Sequence, residues 1–124
     1  MKAAACGEMH SLLLSNSGMV FFFGFNSTAK ANSDTEKQTT PESIEDINSA
    51  VFISAGTAHN AVVVQNIDAT SDLRNEVYTW GKGWDYQLGN QKRTNLSFPR
   101  RVEFNRKLHN ICFFLIIDIY RNRC

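Results

Sequence analysis

The feature that most constrains this sequence is an internal repeat. Gly7 and Gly56 are 49 positions apart, and so are His10 and His59. In both copies the Gly-x-x-His element is followed by an apolar run. Self-similarity with a period near fifty residues is typical of propellers and solenoids, in which each repeat is one supersecondary unit. The repeat therefore predicts an array of similar units rather than one irregular domain.

The local pattern inside each copy is that of short strands. Residues 10–14 and 59–64 are rich in Leu or Val, as buried strands are. Residues 76–80 alternate polar and apolar side chains, which is the period of a half-buried strand. Asn16-Ser17-Gly18 has the composition of a tight turn. No stretch has a convincing helical period, so the sequence predicts an all-β fold of antiparallel hairpins.

The second copy is longer than the first. Gly24 and Gly81 are 57 positions apart, so eight extra residues lie between the two strands of the second hairpin. They fall within Ile67–Asn75, a polar stretch suited to an extended hairpin loop.

Composition excludes some sites and leaves others open. None of the three cysteines forms a Cys-x-x-Cys pair, so neither a zinc site nor a disulfide framework is indicated, and a reducing, intracellular compartment is favoured. Cys6 follows three alanines, which predicts a small buried side chain. Residues 92–124 carry eight Lys or Arg and two Asp or Glu. These cations are scattered among Phe and Leu, so we expect a solvated surface there rather than a nucleic-acid patch.

The motif order resembles a known family. Ala-Gly-x-x-His, an apolar strand, a hairpin, Trp-Gly, Gln-Leu-Gly and a later Pro are similar to the regulator-of-chromosome-condensation repeat. The matching residues of the second copy are Ile53–Gly56, His59, Val77–Gly81, Gln87–Gly89, Pro99 and Val102. Members usually form seven-bladed propellers with four strands per blade, so the resemblance implies a partial β-propeller of about two blades. The phrase from Tyr86 to Asn95 also looks like fungal mitochondrial members linked to respiratory-chain assembly.

The resemblance implies structural roles for one set of positions. These are Gly7, His10, Gly24, Gly56, His59, Trp80, Gly81, Gln87, Leu88, Gly89 and Pro99. Gly7 and Gly56 would permit a tight or positive-φ backbone after a strand. Gly81 and Gly89 would let neighbouring backbone pack closely. Trp80 would fill the space between blades.

The paired histidines invite a catalytic interpretation, but recurrence favours a structural one. Catalytic groups converge on one site, whereas His10 and His59 recur once per repeat. We therefore expect each ring to hydrogen-bond to backbone within its own blade. Ser11 follows His10 along a strand, so the two side chains point to opposite faces and cannot form a nucleophile–base pair. We predict no catalytic residue, cofactor site or metal site.

The repeat pattern is lost at residues 29–32 and at residues 111–117, and it is weakened at Tyr86. Residues 29–32 (AKAN) stand where the first copy should have Gly-Gln-Leu-Gly, and Tyr86 stands where the second copy should have a glycine. Residues 33–46 are acidic and polar, which indicates a surface connector, although Thr40-Pro41-Glu42 would also suit a short helix start. Residues 111–117 (ICFFLII) depart from the repeat and are too short to span a bilayer.

Three segments follow from this pattern. They are a degenerate repeat with its connector at 1–49, a well-matched repeat at 50–104 and a departing tail at 105–124. This organisation predicts a truncated product. The predicted function is a non-catalytic protein-interaction module, whose unidentified partner is a protein and not a nucleic acid; respiratory-chain assembly components and a small GTPase are possible partners. The alternatives are guanine-nucleotide exchange on a small GTPase, and a product without independent function.

Overall fold

The structure, a computed structural model, describes residues 1–25, 37–67, 71 and 73–103, and it contains two four-stranded antiparallel sheets. Within these ranges there are strands and turns and no helix. The all-β prediction is therefore confirmed. The strands are β1 (Ala3–Cys6), β2 (His10–Leu14), β3 (Val20–Phe25), β4 (Lys37–Ser43), β5 (Ala50–Ala55), β6 (His59–Ile67), β7 (Leu73–Gly81) and β8 (Leu96–Arg101).

Each sheet is a meander in which every strand pairs with the next one along the chain. The 49-residue repeat recurs in the backbone: His10 pairs with Gly24 and His59 pairs with Gly81. The Gly7 amide donates to the His10 carbonyl at 2.8 Å, and the corresponding bond of the second copy joins residues 56 and 59 at the same distance. The two copies are the same supersecondary unit.

The first hairpin turns where its sequence predicts. Gly18 has φ +86°, in the region that favours glycine. Its amide donates to the Ser15 carbonyl at 3.1 Å, which closes the turn. The turn prediction for residues 16–18 is confirmed.

The second hairpin differs from the loop expected over Ile67–Asn75. Strands β6 and β7 remain paired as far as Ile67 and Leu73, so most of the extra length extends the ladder. Polar cross-strand pairs support this extension. Asn66 Nδ2 donates to Glu76 Oε2 at 2.9 Å, and Gln65 Nε2 donates to Asn75 Oδ1 at 3.3 Å. Residues 68–70 and 72 lie outside the described residues.

The expected surface connector at 33–46 is wrong in its central part. Residues 37–43 form β4, the outer strand of the first sheet, and Pro41 lies within it, not at a helix start. Pro99 lies at the equivalent place in β8. An edge strand tolerates proline because an outward-facing amide has no ladder partner to lose. A polar edge also resists pairing with another chain, so a connector-like sequence is compatible with this strand.

The core lies between the two sheets. The first sheet contributes Leu12 and Leu14 from β2, and the second contributes Val62 and Val64 from β6. Trp80 has no exposed surface and belongs to the same cluster, as its expected place between blades requires. Burying such a face is what holds an array of repeats together.

Cys6 is exposed, which corrects the expectation of a buried thiol. Side chains alternate across a strand, and in β1 the inward position belongs to Ala5, which is 2% exposed. Cys6 therefore points out of the sheet. Cys112 and Cys124 lie outside the described residues, as does the whole predicted tail at 105–124.

Candidate functional site

Two hydrogen bonds connect the first sheet to the second near one end of the strands. His10 Nε2 lies 2.7 Å from Asn60 Oδ1, and both residues are buried. Nearby, the Glu8 amide donates to the Thr57 carbonyl at 3.2 Å. The expectation that the His10 ring bonds to backbone of its own blade is therefore wrong. The ring instead joins the two sheets, because its face of the first sheet is covered by the second.

Both histidine rings are neutral at neutral pH. Burial lowers the pKa of His59 to about 4, and the nearby His10 adds to this lowering by charge repulsion. Burial also lowers the pKa of His10, while the hydrogen bond to Asn60 acts in the opposite direction.

Ser11 donates its hydroxyl to Cys6 Sγ at 3.6 Å. Among the described residues, no three His, Cys, Asp or Glu side chains cluster as metal ligands.

The absence of a side chain at Gly7 and Gly56 leaves space for the rings of His10 and His59. The expectation for both glycines was a tight or positive-φ backbone; neither has φ in the left-handed region, so the positive-φ alternative is wrong. A Cβ on Gly7 would collide with the His10 ring, and one on Gly56 would collide with the His59 ring. Each glycine thus lets an imidazole pack directly on the backbone.

Gly24, Gly81 and Gly89 are conformational glycines. Their φ values are +120°, +106° and +69°. These values favour glycine, because a side chain at such angles is strained. Gly81 and Gly89 were expected to let neighbouring backbone pack closely. The structure shows instead that their positive φ values favour glycine at these positions.

Residues 82–95 form a loop between β7 and β8, here called the 82–95 loop, and it is anchored from beneath. Leu88 has no exposed surface. Thr79 donates its hydroxyl to the Leu88 carbonyl at 2.8 Å. The Gly83 amide donates to Asn95 Oδ1 at 3.1 Å, which ties the two ends of the loop together.

Internal turns hold the middle of the 82–95 loop. The Asp85 amide donates to Gln87 Oε1 at 2.8 Å, and the Gly89 amide donates to the Tyr86 carbonyl at 3.1 Å. The Lys92 amide donates to Asn90 Oδ1 at 3.1 Å. Each of the predicted motif residues 87–89 thus takes part in a hydrogen bond that holds this loop. The structural role of Pro99 stays a prediction.

Two aromatic side chains stand out from this fixed loop. Trp84 is 53% exposed and Tyr86 is 57% exposed. Arg93 Nε donates to the Trp84 carbonyl at 2.8 Å, and the Arg93 guanidinium carbon lies 5.8 Å from the centre of the Tyr86 ring. That distance is within the range of a cation–π contact. Together they form an aromatic and cationic cluster at the tip of the loop.

The backbone at Tyr86 is strained. Its φ is +60°, and the family motif has glycine at this point of the loop. A non-glycine residue in this region costs roughly 1–2 kcal/mol. Gln91 of the same loop has φ +58°, so two non-glycine residues of the loop adopt this conformation.

Sequence reasoning missed three residues of these sites. Asn60 has a polar side chain inside an apolar run, which is the signal that could have identified it. Trp84 and Arg93 lie in a polar segment whose exposed aromatics carry no periodicity. Only the fold shows that Arg93 returns to the carbonyl of Trp84.

Comparisons with known proteins agree with the fold. Residues 74–112 match the Regulator of chromosome condensation (RCC1) repeat. The chain is 44% identical over 55 residues to RCC1 domain-containing protein 1 of Homo sapiens, covering 44% of this chain and 12% of that protein. It is 30% identical over 105 residues to the ultraviolet-B receptor UVR8 of Arabidopsis thaliana, covering 82% of this chain and 22% of that protein. The chain thus spans less than a quarter of either relative.

A solved structure has the same arrangement of sheets. Prp20p from Saccharomyces cerevisiae matches with a TM-score of 0.65 and 22% identity, over 83% of this chain and 25% of that chain. This likeness shows the fold. The two sheets are blades of a partial β-propeller.

Proposed function

This chain belongs to the regulator of chromosome condensation (RCC1) repeat family, and we propose that it is a non-catalytic protein-interaction module whose contact surface is the 82–95 loop. The carrying observation is the pair of exposed aromatics, Trp84 and Tyr86, on a loop fixed by internal hydrogen bonds. Loops on a rigid scaffold commonly carry function. Aromatic and Arg side chains are enriched among the residues that dominate binding energy at interfaces.

The rigidity of the loop supports this proposal. A surface that is already ordered loses less conformational entropy when it binds. Leu88 beneath the loop and Asn95 at its end restrain the backbone before any partner arrives. The exposed rings therefore present apolar area at little ordering cost.

Guanine-nucleotide exchange on a small GTPase is the second candidate. The similar Prp20p is a protein whose binding to Gsp1p and to histones has been characterised. The test is the rate at which a small GTPase loaded with a fluorescent guanine nucleotide releases it. Acceleration by this chain would favour exchange, and an unchanged rate would leave the binding role alone. The mitochondrial setting and a role in respiratory-chain assembly stay predictions.

Site-specific photo-crosslinking tests the binding role. Benzoylphenylalanine replaces Trp84 in one sample, and in a matched control it replaces Leu73, which is 66% exposed at the far hairpin. We expect protein crosslinks in a cell lysate from position 84 and not from position 73. Excess unlabelled full chain should suppress them, whereas the W84A/Y86A variant should not. Equal crosslinking from both positions would contradict the proposal.

The same preparation tests whether the chain has any independent function. A folded two-sheet unit should unfold cooperatively in urea. A chain without a cooperative transition would support the alternative of a product with no function of its own.

A further inference from the structure

We infer that the 82–95 loop recognises an acidic protein segment in which a carboxylate side chain lies next to an apolar one. This inference rests on the proposed binding function and adds the chemistry of the partner. It is carried by the geometry of Arg93 and by the charges of the residues around it.

Arg93 is held ready for an anion. Its Nε–H is used in the bond to the Trp84 carbonyl at 2.8 Å, and the Tyr86 ring lies against the guanidinium. Among the described residues, no Asp or Glu forms an ion pair with it. The terminal nitrogens of a guanidinium fixed in this way can donate two parallel hydrogen bonds to one carboxylate.

The surroundings of Arg93 favour negative charge. A groove of about 640 Å³ is lined by the neighbour of Arg93 in sequence, Lys92, and further along by Arg100, Arg101 and Glu103. Arg101 is partly neutralised by Glu76 at 3.1 Å and Glu103 at 3.6 Å. Lys92 and Arg100 have no carboxylate partner among the described residues. Because Lys92 adjoins Arg93 in sequence, an acidic segment bound at Arg93 that extends past Lys92 into this groove would meet Arg100 as a further cation.

Trp84 adds the apolar half of the recognition. Its side chain is 53% exposed, and its carbonyl holds the arginine. An apolar side chain of the partner would cover this indole while its neighbour in sequence reaches Arg93. Excluding water from the ion pair in this way strengthens it.

The geometry favours a peptide over a nucleic acid. Single-stranded nucleic acids stack their bases on open aromatic faces. One face of Tyr86 is occupied by the Arg93 guanidinium.

The test uses the full chain and an array of random 12-residue peptides. The strongest binder is then titrated by fluorescence anisotropy against the parent chain, R93K, R93Q and K2Q. R93K keeps the charge but loses the planar fork and the stacking. K2Q is the matched control. It removes one charge at the end of the first sheet that lies away from His10, where the Lys2 amide donates to the Leu14 carbonyl. Oligo(dT) of twelve nucleotides is the nucleic-acid arm.

We expect the bound peptides to be enriched in Asp or Glu beside Leu, Phe, Tyr or Trp. R93Q and R93K should each weaken binding by about tenfold or more, and K2Q by less than about twofold, since a distant charge is screened. Bound peptides without acidic enrichment, an R93K variant that binds like the parent, or tighter binding of oligo(dT) would each overturn the inference. If crosslinks from position 84 persist while acidic peptides fail, the binding function stands and only this partner chemistry falls.

Discussion

His10 Nε2 and Asn60 Oδ1 lie 2.7 Å apart and join the two sheets across fifty residues of sequence. An amide oxygen only accepts hydrogen bonds, so the imidazole carries its proton on Nε2. Asn60 Nδ2 is buried and has no hydrogen-bond partner among the residues that the structure describes. The amide is therefore held in the interface chiefly by His10, and the pair fixes how one blade faces the next.

A double-mutant cycle should reveal this coupling. Asn60→Ala leaves the buried His10 N–H without its partner, which costs about 1–3 kcal/mol of unfolding free energy. His10→Ala should be at least as destabilising, and the two losses should be sub-additive by about 1 kcal/mol. Urea unfolding at pH 7.5 measures each value. The exposed pair Gln65–Asn75 is the matched control, with a coupling below about 0.5 kcal/mol. Additive losses at His10 and Asn60 would show that the bond contributes nothing.

Stability should fall as the solution is acidified. The pKa of His59 is about 4 in the folded chain and 6.5 in its ordinary state, so protons bind more readily to the unfolded chain. The stability from neutral His59 is complete above pH 6.5, falls as pH drops below it and is lost near pH 4. The difference between the two pKa values of His59 corresponds to a loss of unfolding free energy on the order of 3 kcal/mol. Burial of His10 acts in the same direction. Unfolding free energies at pH 7.5, 6.0 and 4.5 test this, and His59→Gln should flatten the curve. An unchanged slope in that variant would exclude His59 as the source.

Gly56→Ala should destabilise the second blade by about 2 kcal/mol or more, because the new methyl group has no room beside the His59 ring. Thr57→Ala, an exposed neighbour, is the control and should change stability by less than about 0.5 kcal/mol. Combining Gly56→Ala with His59→Ala should recover part of the loss, since the smaller side chain vacates the space. Thermal unfolding of the parent, the two single variants Gly56→Ala and His59→Ala, their double variant and the Thr57→Ala control decides this. A double variant as unstable as the summed losses would rule out the steric explanation.

The sequence pattern was enough to predict strands at 10–14, 59–64 and 76–80 and the turn at 16–18, because alternation and turn residues act locally. It could not predict β4, because the polar stretch at 37–43 becomes a strand only by pairing with β3. The His10–Asn60 bond was also out of reach, since it depends on how two blades face each other. The 82–95 loop was recognised by its motif, but the exposure of Trp84 and the return of Arg93 are products of tertiary structure.

Loop order should depend on the hydroxyl of Thr79. Thr79→Val keeps the side-chain shape and removes the bond to the Leu88 carbonyl, at a cost of about 1 kcal/mol. Hydrogen exchange at the amides of Tyr86 and Gly89, which bond within the loop, should accelerate. Exchange at β2 amides in the first sheet is the internal control and should change little. Unaltered protection of the loop amides would mean that its anchoring lies elsewhere.

Tyr86→Gly separates binding by the 82–95 loop from the stability of the fold. Glycine relieves the strain at φ +60° but adds about 0.5–1 kcal/mol of unfolded-state backbone entropy, so the two effects oppose each other and the unfolding free energy should stay within about 1 kcal/mol of the parent value. Protein crosslinking from benzoylphenylalanine at position 84 should nevertheless fall severalfold, because the ring that supports Arg93 is gone. A folded Tyr86→Gly chain that crosslinks as well as the parent would contradict the account.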